Sequence, residues 1–209
     1  MLKSGSELKK HTETFLALEK GTWFLFSGYI PQAFYAGLSS YHIYRDTRDH
    51  AWLERARKRK EDIKLWAEQG SSHNFQQKLL LLEAEDHYCS SCFDAAREAY
   101  QHAIVSARTH AFINDEALAC ELAAKFFLDT NDLLNSLEHF RLAKEKYKTW
   151  GALAKAKLIS TFTKEKFAIH SGDSPPLPGA DKQNAGFDYL IDPRKRRMAS
   201  AQNINHMNN

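Results

Sequence analysis

Along most of the chain, apolar and small residues recur at intervals of three and four, the period of a helix with one buried face. The run Phe93, Ala96, Tyr100, Ala103, Ala107 is representative, and no segment shows a strand signal. Proline supports the same reading. Four of the five prolines lie beyond residue 170 and the fifth is Pro31. The stretch 32–174 therefore lacks the residue that costs a helix interior about 3 kcal/mol. The pattern predicts helices over about 32–47, 49–69, 74–88, 92–109, 114–128, 132–150 and 152–167, with Asn74 and Asn114 as N-caps. The tetrads 47–50, 90–93 and 130–133 are turn-like, and Gly70, Ser71 and Ser72 close an earlier unit. Connections this short make neighbouring helices antiparallel.

Sliding the sequence along itself by 40 residues brings like onto like without a gap. Phe93, Ala96, Tyr100, Ala103 and Ala107 fall on Leu133, Ser136, Phe140, Ala143 and Tyr147, and in the other direction on Leu53, Ala56, Lys60, Ile63 and Ala67. Leu82 and Ala84 fall on Leu122 and Ala124. Within each unit a small residue late in the first helix (Ala84, Ala124) is followed by another (Ala96, Ser136), then an aromatic (Tyr100, Phe140) and a further small residue (Ala103, Ala143). Small residues let two helices approach while the ring fills the gap, which is the tetratricopeptide pattern on a longer period. The expected fold is all-α, with antiparallel hairpins stacked as a tetratricopeptide-like α-solenoid of period about 40. Residues 1–27 read as the end of a preceding helical unit and its connection, 28–170 as the repeat domain and 171–209 as a disordered tail.

Composition narrows the class. With 209 residues, 43% hydrophobic and 26% charged, the chain can bury one sizeable core and is neither wholly disordered nor a membrane protein. No run approaches the ~18 apolar residues of a membrane span, and the start lacks a signal-peptide pattern, so a cytoplasmic location is expected. Three cysteines make no even disulfide framework. The net charge of +3 selects no partner.

Candidate chemistry is sparse. Cys89-Ser-Ser-Cys92 beside His87 offers metal-ligand spacing, but a closed zinc site needs four ligands, and both cysteines fall on turn positions of the repeat (Asp129 and Asp132 in the next unit). No metal site is expected. The acid–histidine neighbours Asp86-His87, Glu138-His139 and Asp49-His50 point in different directions on a helix and form no dyad. Nine scattered glycines build no phosphate loop, so no nucleotide or other cofactor is expected. Basic residues concentrate at Arg55, Arg57, Lys58, Arg59 and Lys60 and along 144–166, which keeps a nucleic-acid-binding helical repeat as the alternative reading. Glu54, Glu61 and Asp62 interrupt the first cluster. Arg194, Lys195, Arg196 and Arg197 carry the features of a nuclear import signal, with Ser200 beside them as a candidate regulatory phosphosite.

Several segments carry a more particular resemblance. Phe34-Tyr35-Ala36-Gly37-Leu38, His73-Asn74-Phe75-Gln76-Gln77-Lys78, Asn114-Asp115-Glu116-Ala117-Leu118-Ala119 and Glu121-Leu122-Ala123-Ala124-Lys125-Phe126 resemble the helical repeat region of large multidomain signalling kinases. In that family a serine/threonine kinase-like domain and an AAA-type ATPase precede the repeats, and GAF and histidine-kinase modules follow. The resemblance covers roughly 28–157 and none of the catalytic parts. It implies a non-catalytic interaction or regulatory scaffold, with a peptide, a protein or adjacent kinase or ATPase domains as partner. By analogy with groove-facing positions of tetratricopeptide repeats, Arg45, Lys78, Glu85, Glu121 and Lys125 are the candidate partner-binding residues, suited to an extended segment of mixed charge.

Overall fold

The computed structural model describes residues 5–18 and 26–171, and every regular element among them is an α-helix. In chain order these are α1 (Gly5–Leu18), α2 (Phe26–Thr47), α3 (His50–Gln69), α4 (Ser72–Cys89), α5 (Phe93–Thr109), α6 (Ile113–Asp129), α7 (Leu133–Thr149) and α8 (Leu153–Ser171). The described residues up to 160 form one compact unit, and those from 161 to 171 fall in a second. Among the described residues no helix is long and apolar enough to cross a membrane. The tail expected beyond Ser171, with Arg194 to Arg197 and Ser200, lies outside the described residues.

Neighbouring helices pack in order. The pairs α2/α3, α4/α5 and α6/α7 form hairpins, and α3 against α4 and α5 against α6 join one hairpin to the next. The first helices of the hairpins also meet, α2 on α4 and α4 on α6. The small residues that permit this approach, Ala84, Ala96, Ala103, Ala124, Ser136 and Ala143, are fully buried. Ser136 is close enough to α6 for its hydroxyl to donate to the Ala124 carbonyl at 2.8 Å. Tyr100 and Phe140 fill the gaps between them, and Phe126 packs on Tyr100 and Tyr88 with centroids 5.3 and 5.2 Å apart. At Gly37 the backbone of α2 comes so near α4 and α3 that a Cβ would lie 2.9 Å from a Leu82 methyl and 3.3 Å from the Arg59 Cβ.

One turn is used over and over. Ser91, Ala111 and Asn131 stand 20 residues apart with φ near 60°, and Gly151 continues the series at φ 91°. Each sits in the left-handed conformation just past a helix end. At each, the flanking amides donate back to the last turn, as Ser91 does to Tyr88 and Cys92 to His87. Phe112, Asp132 and Ala152 repeat the longer of these bonds, to Ala107, Phe127 and Tyr147. This paired bonding satisfies the orphan carbonyls of a helix C-terminus. The repeated structural step is thus a single helix plus turn. The first hairpin departs from the interval, because its left-handed residue is Arg48, and α3 begins about one turn early with Asp49 capping Ala51.

Helix starts differ from the sequence expectation at three helices, α2, α4 and α6. The N-caps are Ser71 and Phe112, while Asn74 and Asn114 lie inside the first turns of α4 and α6. The preceding turn fixes where each helix begins. Pro31, expected ahead of the second helix, lies inside it.

Candidate functional site

Because α2, α4 and α6 run parallel, residues at matching positions form rows across them. Leu38, Lys78 and Leu118 make one row, and Arg45, Glu85 and Lys125 another. On α2, Tyr35, Leu38, His42 and Arg45 share a face, as do Asp115, Leu118, Leu122 and Lys125 on α6. These two faces look at one another across α4. The charge of Asp115 raises the pKa of Tyr35 beyond the rise due to burial. Burial and Arg45 lower the pKa of His42, and Lys125, on α6, lowers it further. The inner face is therefore a strip of α2, α4 and α6 residues, with α4 between the other two.

All five sequence candidates lie on or beside this strip, at different depths. Glu85 is 2% exposed and is held from both sides, by the Arg45 guanidinium of α2 and by the Tyr100 hydroxyl of α5 at 2.6 Å. Burial opposes the charge of Arg45, but Glu85 more than compensates and raises its pKa. Arg45 also stacks over the Tyr88 ring at 4.5 Å. Lys78 pairs with buried Asp115, which also accepts from Gln77 at 3.1 Å. Glu121 accepts from Lys125 at 2.6 Å, from the Tyr147 hydroxyl at 2.9 Å and from Lys155 of α8 at 3.0 Å. Burial alone would raise the pKa of Glu121; Lys125 and Lys155 outweigh it and hold the carboxyl below its ordinary value.

Asp115, Tyr100, Tyr147 and Lys155 were not among the candidate partner-binding residues read from sequence. Nor was Glu116, a further buried acid that ties three helices through Arg108 at 2.8 Å and Lys146 at 2.9 Å. In each case the partner lies on another helix. A one-dimensional charge pattern does not show such pairs. The clearest available signal was an acid at a position where the repeat expects a buried residue, since Glu116, Ala117, Ala119, Cys120 and Glu121 run together on α6.

The other sequence candidates are distributed plainly. Cys89 ends α4 and is buried, and burial first of all raises its thiol to about 11. Cys120 is buried on α6 and raised to about 12 by the same cause, with Glu116 adding to it. Cys92 is exposed at the start of α5. Among the described residues no three His, Cys, Asp or Glu side chains converge as a metal ion would require. In the basic cluster of α3, Arg57 and Lys60 both pair with Asp86 at 2.9 and 2.6 Å, Arg59 pairs with Asp62 at 3.2 Å, and Arg55 lies over Trp52. Much of that positive charge is spent within the fold. Between α5 and α7 a hollow of about 480 Å³ sets Asp94 and Glu98 beside Arg97 and His139, so it favours neither charge.

Compared with protein-family models, curated proteins and solved structures, the chain finds no match.

Proposed function

We propose that this chain is a non-catalytic protein-interaction scaffold, a tetratricopeptide-like stack of 40-residue helical hairpins whose inner face holds a partner. The observation that carries the reading is the recurrence of one helix-ending turn at Ser91, Ala111, Asn131 and Gly151, which turns the chain back on itself at a constant interval. Helices joined in this way cannot each enclose a core, so they bury their apolar faces on neighbours and leave an extended inner surface. Leu38, Leu118 and Leu122 remain only half-buried on that surface. The resemblance of 28–157 to the repeat region of multidomain signalling kinases makes a signalling domain, in the same polypeptide or another, the proposed class of partner.

A photoreactive residue placed at Leu118, on the inner face, tests this in cells that express the protein. The reading expects discrete adducts of protein mass from Leu118 and none from Val105, an exposed position on α5. Adducts that disappear on nuclease treatment would favour the nucleic-acid alternative, and no adduct from Leu118 would contradict the scaffold reading.

A further inference from the structure

We infer that the open face at the start of α8 receives an acidic amphipathic helix from another protein. This rests on the repeat register of the scaffold reading, but not on its inner face. The three most exposed large apolar side chains among the described residues are Leu153, Trp150 and Leu158, at 66, 56 and 49%. All three stand where α7 passes into α8. Lys148 and Lys157, in the same stretch, are exposed and have no acidic partner among the described residues. Their neighbours Lys146 and Lys155 are already spent on buried Glu116 and Glu121. Lys148 corresponds to Arg108, which finds Glu116 on α6, but the residue in the place of Glu116 on α8 is Ala156.

Earlier helices indicate what covers this face. Leu153, Lys157 and Leu158 stand two periods of 40 beyond His73, Gln77 and Lys78 of α4. There the chain entering α6 makes contact at all three positions. The Phe112 ring lies 5.7 Å from the His73 ring and 5.2 Å from the Lys78 ammonium, and Gln77 and Lys78 both bond Asp115. One period on, Ala117 of α6 is fully buried, whereas Lys157 at the same position on α8 is exposed. A helix lying on α8 as α6 lies on α4 would bring a large apolar residue, in the place of Phe112, over Leu153 and Leu158. Three positions later, in the place of Asp115, an acid would meet Lys157. A second copy docking symmetrically through this face would set Lys148 and Lys157 against their own counterparts, and nucleic acid offers no aliphatic groups for the leucines.

The test uses fluorescence anisotropy of the full chain with a labelled peptide of residues 110–129, which holds Phe112 and Asp115 at this spacing, with Cys120→Ser to prevent oxidation. Binding that weakens as salt rises is expected. Lys157→Glu in the protein should weaken it about tenfold, and a peptide with Asp115→Lys should bind that variant better than it binds the unaltered protein. Leu153→Ser with Leu158→Ser should weaken the original pairing about tenfold, while Leu65→Ser, exposed on α3, should not. All the altered side chains are exposed, so thermal melts should stay unchanged and check the fold. No binding, or a Lys157→Glu variant that does not reverse the charge preference, would overturn the inference. So would binding to phosphatidylserine and phosphatidylcholine vesicles in place of the peptide, or a concentration-dependent doubling of mass that the leucine changes abolish, which would assign the face to a membrane or to a second copy. Adducts from Leu118 decide the scaffold reading separately: present, they keep it standing through such a failure; absent, they remove it even where the peptide binds.

Discussion

At the scale of single residues, the unusual feature is the number of carboxylates inside a helical stack, each held by a group from another helix. Arg45 and Glu85 show what this implies. Taking one partner away strands the other in low dielectric, so Arg45→Ala should cost about 3–5 kcal/mol in denaturant unfolding. Replacing both with apolar residues, Arg45→Met with Glu85→Leu, should recover most of that loss, apart from the Tyr100 hydroxyl left without its acceptor. Glu121 adds a pH dependence. Its folded pKa lies below the unfolded value, so its contribution to stability is present above the unfolded carboxylate pKa of about 4.3 and is lost as pH falls through the lower folded value. A stability profile taken through that acid range should flatten in Glu121→Gln. An unchanged profile would mean that Glu121 is not held as described. The sequence marked Glu85 and Glu121 as notable charges but placed them toward a partner. Their depth depends on Tyr100, Tyr147 and Lys155, which only the packed helices bring near.

At the scale of elements, the helices were legible because their apolar period is regular and prolines are missing from 32–174. The turns were less so. The left-handed residues after α4, α5, α6 and α7 are Ser91, Ala111, Asn131 and Gly151, and only the last carries the expected glycine. Without that signal at Ala111, the cap at Phe112 was displaced onto Asn114; before α4, where Gly70 is present, the cap is Ser71, three residues ahead of Asn74. Alanine has no side chain to favour a left-handed backbone, so Ala111→Gly should raise stability by about 1 kcal/mol, read as a higher denaturation midpoint. Asn131→Gly should gain less, since asparagine tolerates that region. A destabilised Ala111→Gly would mean that the turn is not held as seen. α1 was legible only in part: residues 1–27 read as the end of a preceding helical unit and its connection, and Gly5–Leu18 within them is one helix.

At the scale of the whole molecule, the proposed scaffold is a stack of interchangeable hairpins, and its inner surface exists because they stack. Local contacts between successive helices dominate, and two structural steps make one sequence period. Excising 40 residues in register is therefore the most direct test. Removing 92–131 joins the turn after α4 to the start of α7 with the small and aromatic positions still in phase, because Ser91 and Asn131 have the same conformation. A shorter protein with strong helical circular dichroism and a single cooperative thermal transition is the predicted result, while an out-of-register excision of similar length should lose cooperativity. If the in-register deletion melts without cooperativity, or the two deletions behave alike, the helices form one irreducible bundle and the repeat scaffold is contradicted.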